Sequence, residues 1–191
     1  MVSQFVGEKK IPMLGTLGHP FPNGIHAVGR LDADSEGLLL LTTNKKVTNL
    51  LFNSGAPHKR TYLVRVKNTV SQEALEKLRN GVTIRIKDGV YYQTPPCVVN
   101  IVDCPDNIMP HQRELRHFVA HTWLTITIYE GKYHQIRKMV AAVNHRCLRL
   151  IRISIEDIEL GDLKPGAIEE IEENEFFSKL KIEYPTPTPL T

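Results

Sequence analysis

Four consecutive leucines, Leu38–Leu41, follow directly on an acid-rich turn, and no other stretch restricts the fold of this chain so strongly. Gly29-Arg30-Leu31-Asp32-Ala33-Asp34-Ser35-Glu36-Gly37 precedes them, and Thr42-Thr43 follows. An apolar run of this kind predicts a strand over about 37–43, buried on both faces. The polar residues ahead of it then form a loop pinned to a core element, a common position for binding and catalytic side chains. Asp32 could do chemistry, hold a metal or merely make a turn. Asp32, Asp34, Glu36 and Gly37 imitate positions one, three, five and six of a calcium-binding EF-hand loop. Position twelve, however, is Thr43 where a bidentate Glu is required, and the leucines fill most of positions seven to eleven. Calcium is disfavoured.

Charge gives the next constraint. Residues 1–155 carry 21 Lys+Arg against 11 Asp+Glu, a balance of +10, whereas residues 156–191 carry 3 against 10, a balance of −7. A basic body of this kind suits a polyanionic partner, although evenly spread charge would also serve solubility alone. With 41% hydrophobic and 24% charged residues among 191, the composition is that of a globular protein able to bury a full core. No apolar run approaches the ~20 residues of a membrane helix, and the start lacks signal-peptide features. Cys97, Cys104 and Cys147 are odd in number and have no C-x-x-C spacing, so disulfide and zinc frameworks are not expected. A reducing cytoplasm is the expected compartment.

Along the chain, Met1–Val6 reads as a strand remnant, and the Gly- and Pro-rich residues to 28 as a long loop. Asn44 should cap a helix over about 45–53. Arg60–Val66 alternates as a strand, with Tyr62, Val64 and Val66 on one face. Ser71 opens a helix that ends at Gly81, and Val82–Ile86 turns at Asp88-Gly89 into Val90–Gln93 as a hairpin. Val98–Val102 and His121–Glu130 read as strands, separated by a polar, Pro-broken loop over 103–115. Ile136, Met139, Val140 and Val143 give a helical stripe within 133–144. Leu148–Ile155 is a further strand, and a short acidic helix over 173–181 precedes a Pro/Thr tail at 185–191. Many strands with hairpin-length links and few helices predict an α+β fold with a largely antiparallel or mixed sheet, as a single domain over 1–184.

Two basic constellations stand out beside the acidic loop. In Lys59-Arg60-Thr61-Tyr62 the tyrosine is either core or a ring that stacks on a base while the cations hold phosphates. From Gly131 to Ile155 there are six Lys/Arg, including Lys132, Arg137, Lys138 and Arg146, two His and no acid. A solvated helix face leaves that missing acid unexplained, so a nucleic-acid surface is the better reading.

Three motifs in order carry a family likeness. Gly29-Arg30-Leu31-Asp32-x-x-Ser35-x-Gly37-Leu38-Leu39-Leu40-Leu41-Thr42 closely resembles the signature of ribosomal-RNA pseudouridine synthases of the RsuA branch. Lys59-x-x-Tyr62 resembles that family's tyrosine motif, and Glu130–Met139 its third motif. Leu148–Ile153 and Leu160–Gly166 are similar to its closing segment. Within the branch the RluE-like large-subunit enzymes are nearest, because Val2–Phe5 also resembles their start. Members usually begin with a strand carrying Lys-Pro-x-Gly, and many carry an S4-type RNA-binding domain; relative to them this chain reads as truncated at its N-terminal strand and without that domain.

The resemblance implies the pseudouridine synthase fold and isomerisation of a uridine in ribosomal RNA without cofactor or metal. It makes Asp32 the catalytic carboxylate, with Arg137 its basic partner, Tyr62 the ring packed on the uracil and Ile136 an apolar wall. Arg30 would enter the RNA stack or bind a phosphate. Lys59, Arg60, Lys132, Lys138 and Arg146 are the expected RNA contacts, on ribosomal RNA or a pre-ribosomal particle. No membrane is implied, and a monomer is expected. A non-catalytic RNA-binding protein that retains the fold is the alternative, and retention of Arg30, Asp32, Tyr62 and Arg137 together argues against it.

Overall fold

The computed structural model describes residues 3–5, 12–53, 55–110 and 120–183. Its centre is a six-stranded sheet. The long strands are β4 (Arg60–Lys67), β8 (His121–Ile128) and β9 (Cys147–Ile155). β4 lies between β8 and β9, antiparallel to both. β7 (Val98–Val102) flanks β8 and β10 (Ile158–Glu159) flanks β9, again antiparallel. One short strand breaks the pattern: β2 (Glu36–Gly37) runs parallel to β9. Two small antiparallel ribbons hold the remaining strands among the described residues, β1 (His26–Ala27) with β3 (Leu41–Thr42), and β5 (Thr83–Arg85) with β6 (Tyr91–Gln93). The α+β expectation with a mixed sheet therefore holds.

The helices cover the sheet as the apolar patterns require. α2 (Gln72–Asn80) begins where the Ser71 side chain accepts the Ala74 amide at 3.2 Å. α3 (Gln135–Ala142) turns Ile136, Met139 and Val140 inward. Both pack on the face that presents Val64, Val66, Leu124 and Ile126, and Tyr62 lies partly buried against the same cluster. The opposite face holds a smaller cluster around Leu63, Trp123 and Ile151. This division by face is what alternation in β4 and β8 requires.

A third cluster corrects the reading of the leucine run. Leu38 and Leu40 are buried, but Leu39 and Leu41 are only half-buried, and the run is not one strand. It leaves β9 after Gly37 and joins β1 at Leu41, so residues 38–40 cross between two sheets. Leu38 and Leu40 pack with Val47 and Leu51 of α1 (Val47–Phe52) and with Phe177 and Leu180 of α4 (Glu173–Leu180). The acidic C-terminal helix is thus a support for the leucine run. Asn44 does not cap α1 as expected: Lys46 holds the N-cap position without a side-chain cap, and Asn44 Oδ1 accepts the Lys46 amide at 3.0 Å in the turn before the helix.

Other boundaries shift modestly. β8 ends at Ile128, two residues before the expected Glu130. The expected strand at Met1–Val6 falls partly outside the described residues, as do part of the 103–115 loop and the whole tail. Ser3–Phe5 is not a strand; the buried Ser3 hydroxyl donates to the Leu31 carbonyl at 3.1 Å and accepts the Leu31 amide at 3.0 Å. Asp88 and Gly89 both take positive φ, 60° and 78°, as a tight hairpin turn demands. The three cysteines form no disulfide, and burial pushes the Cys97 and Cys147 thiols up to about 11. Among the described residues no helix is long and apolar enough to cross a membrane.

Gly37 is the position where the acidic loop is fastened. Its φ is 99°, and a Cβ there would overlap the Arg152 backbone and stand 2.9 Å from Ile151 Cγ2. Gly37→Ala is expected to lower stability by on the order of 3 kcal/mol in urea denaturation, from strain plus disruption of the β2–β9 pairing. Gly24→Ala, at φ 82° in open space, should cost only about 1 kcal/mol.

Candidate active site

The acidic loop hangs from β2 at the edge of the main sheet. Gly37 is opposite Arg152 on β9, and Arg152 is opposite Tyr62 on β4, so one row of the sheet runs from the loop to the tyrosine. The β4–β9 register shifts between Thr61 and Tyr62, an irregularity of the kind that re-aims a side chain. Arg152 locks the row. It is 3% exposed, its Nε donates to the Leu38 carbonyl at 2.8 Å, and its own carbonyl accepts the Leu38 amide at 2.8 Å. Burial lowers the Arg152 pKa from its ordinary value, and neighbouring Tyr62 opposes that shift.

Each acid of the loop meets a different nitrogen base. Asp32 Oδ1 lies 3.5 Å from His134 Nε2, with the carboxylate 32% exposed. Asp34 Oδ2 lies 3.4 Å from Arg137 Nη2, and the same nitrogen donates to the Asp34 carbonyl at 2.6 Å and to Ser35 Oγ at 3.4 Å. Glu36 takes the Arg149 guanidinium in a fork, at 3.0 Å from Nε and 2.9 Å from Nη2. These carboxylates are therefore drawn apart, and among the described residues no group of three or more His, Cys, Asp or Glu is placed to hold a metal ion. A turn in which the Ser35 amide donates to the Asp32 carbonyl at 2.9 Å shapes the loop tip.

Arg137 was expected beside Asp32; its guanidinium instead holds the backbone of the next acid along the loop. His134, absent from the residues expected at the site, is the group facing the Asp32 carboxylate. Its side chain reaches there because His134 has φ 53° at the start of α3. Glu130 and Gln135 fix that turn. Gln135 Nε2 donates to Glu130 Oε1 at 2.6 Å, Gln135 Oε1 accepts the Lys132 amide at 2.8 Å, and Tyr92 of β6 donates to Glu130 Oε2 at 2.5 Å. Ile136 is buried in the cluster against which Tyr62 packs. Arg30 is exposed.

The expected RNA-facing cations divide. Lys132, Lys138 and Arg146 lie on or beside α3, with Lys132 and Arg146 exposed and Lys138 half-buried. Lys59 pairs with Asp157 at 3.0 Å, and Arg60 lies over the Phe52 ring, 4.8 Å from its centroid. Burial lowers the Arg60 pKa, and Gly131 leaves it room, since a Cβ there would stand 2.6 Å from Arg60 Nη1.

A family model described as RNA pseudouridylate synthase matches residues 18–142, which include the whole acidic loop, Tyr62 and α3. The chain belongs to the RNA pseudouridylate synthase family. Among pseudouridylate synthases it is similar to a ribosomal large subunit pseudouridine synthase E of Vibrio parahaemolyticus serotype O3:K6, with 41% identity over 150 residues covering 78% of this chain and 60% of the relative. A synthase of the same name from Xanthomonas axonopodis pv. citri is 35% identical over 167 residues, covering 86% of this chain and 85% of the relative. The chain spans about 60% of the length of the Vibrio relatives it matches. A solved crystal structure of a pseudouridylate synthase superposes with a TM-score of 0.71 at 26% identity, over 88% of this chain and 65% of that one.

Arg149 is 9% exposed, and Glu36 meets its guanidinium at two points. Glu36→Gln should therefore lower stability by about 1–3 kcal/mol in thermal melts. Asp34→Asn should shift it by no more than about 0.5 kcal/mol, because Asp34 is 61% exposed.

Proposed function

We propose that this protein isomerises a specific uridine of large-subunit ribosomal RNA to pseudouridine, with Asp32 as the catalytic carboxylate. One observation carries the reading: Asp32 lies partly exposed on a loop fastened in register with Tyr62, while the start of α3 closes on that loop. Family membership and the two named large-subunit relatives support the reaction and the class of RNA.

The reaction is redox-neutral. The C1′–N1 bond breaks with its electron pair going to the uracil, the uracil turns in place, C1′ joins C5, the C5 proton leaves to solvent or a nearby base, and N1 takes up a proton. It needs no cofactor or metal. It needs a carboxylate at the sugar, and Asp32 would serve as nucleophile or as base at C2′. Tyr62 would pack on the detached uracil and keep it in the site, against the wall formed by Ile136. Arg137 acts as a positioning residue, holding the Asp34 carbonyl and with it the turn that presents Asp32. Extracting the uridine from its stack costs a few kcal/mol, which cationic contacts to flanking phosphates would offset. Arg30 and the Lys132, Lys138 and Arg146 side of α3 supply such contacts. A cytoplasmic monomer acting on ribosomal RNA or a pre-ribosomal particle fits this reading.

Asp32→Asn is expected to abolish tritium release from ribosomal RNA labelled at uracil C5, while RNA affinity stays within a few-fold. Release at the wild-type rate would remove Asp32 from the chemistry. Charge reversal at Lys138 and Arg146 should flatten the dependence of log affinity on log salt, by about 0.7 for each single-strand phosphate no longer neutralised. An unchanged slope would place the RNA elsewhere.

A further inference from the structure

Tyr133 has no role in the mechanism above, yet it is 63% exposed at the edge of the Asp32 site. Its ring is stacked on the His134 imidazole, with centroids 3.9 Å apart and planes inclined by 20°. His134 in turn lies 3.5 Å from the Asp32 carboxylate. The Lys138 ammonium stands over the Tyr133 ring, 4.9 Å from its centroid. The turn that carries both rings is braced by the Gln135 contacts to Glu130 and Lys132. The segment from Gly131 to Ile155 itself contains no acid.

We propose that the Tyr133–His134 pair is a stacking platform for an unpaired nucleobase of the RNA, entering beside Asp32. The proposal rests on the RNA reading above and adds a base-binding site to it. An aromatic ring held open to solvent gains by covering its face, and every nucleobase offers a π-face without regard to sequence. A flexible surface cation over the ring is displaceable. As the base arrives, the Lys138 ammonium can shift from the ring to that nucleotide's phosphate, exchanging one favourable contact for another. Because the imidazole touches both the platform and Asp32, a base stacked there lies next to the reacting nucleotide. Rigid support by the turn limits the ordering entropy of binding.

The test separates base from phosphate. Affinities for a fluorescent decauridylate and for an abasic phosphodiester of equal length are measured by anisotropy, for the wild type, Tyr133→Ala, Tyr133→Trp and Lys138→Ala. Tyr133→Ala should weaken decauridylate binding ~10-fold and leave the abasic ligand unchanged. Tyr133→Trp should restore the affinity, and Lys138→Ala should weaken both ligands. A Tyr133→Ala loss below threefold, an equal loss for the abasic ligand, failure of Trp to restore, or no wild-type binding of decauridylate would each overturn the platform. Thermal melts confirm that the exposed substitution leaves the fold intact. Failure of the Asp32→Asn experiment would remove the catalytic reading while leaving these affinities unaffected, so the two claims fall separately.

Discussion

Residue 152 makes the contacts on which the acidic loop depends. Its backbone pairs with Gly37 and accepts the Leu38 amide, and its guanidinium closes on the Leu38 carbonyl. A buried guanidinium is costly unless its donors are used. Here the backbone of the loop supplies an acceptor, so the charge that destabilises the interior in isolation also holds the loop to the sheet. Gly37 completes the fastening by omission, since any Cβ would collide with the strand it pairs with. A two-residue parallel strand has little intrinsic stability. With the side-chain bond and the packing of Leu38 and Leu40 beneath it, it becomes a fixed mount.

The loop beyond that mount is ordered by charge. Three acids within five residues would repel one another in an unsupported turn. Arg149, Arg137 and His134 each take one of them, and the basic partner is more exposed at each step from Glu36 outward. The innermost pair is a fork with structural consequences. The outermost, Asp32 with His134, is the loosest at 3.5 Å and partly open. Asp34 is the more exposed carboxylate, at 61% against 32% for Asp32, so what distinguishes Asp32 is its imidazole partner and not its exposure.

Much of this was legible in the sequence, and the failures have a common cause. Alternation in β4 and β8 placed Tyr62 on its face correctly, because the two faces of the main sheet meet different cores. The stripe of Ile136, Met139 and Val140 placed α3 for the same reason. The four leucines misled, since a segment that crosses between two sheets is as apolar as a strand buried on both faces. The partner of Glu36 could not be read locally, because Arg149 is 113 residues away. His134 was overlooked because its reach depends on a left-handed backbone turn, which no apolar periodicity reports. Arg137 was singled out by its motif, but only coordinates reveal which acid of the loop it holds.

Those sequence separations bear on when the site can exist. The contacts that shape the loop span 103 residues to Arg137, 113 to Arg149 and 114 to Arg152. During synthesis, the ribosome releases the loop long before the strand that must hold it. Until β9 has emerged and docked against β4, Asp32, Asp34 and Glu36 have no fixed neighbours, and the loop cannot keep its working shape. Contacts this distant also make closure of the sheet the slow, late event in folding. A nascent or prematurely ended chain would therefore carry the acidic signature without the assembled site.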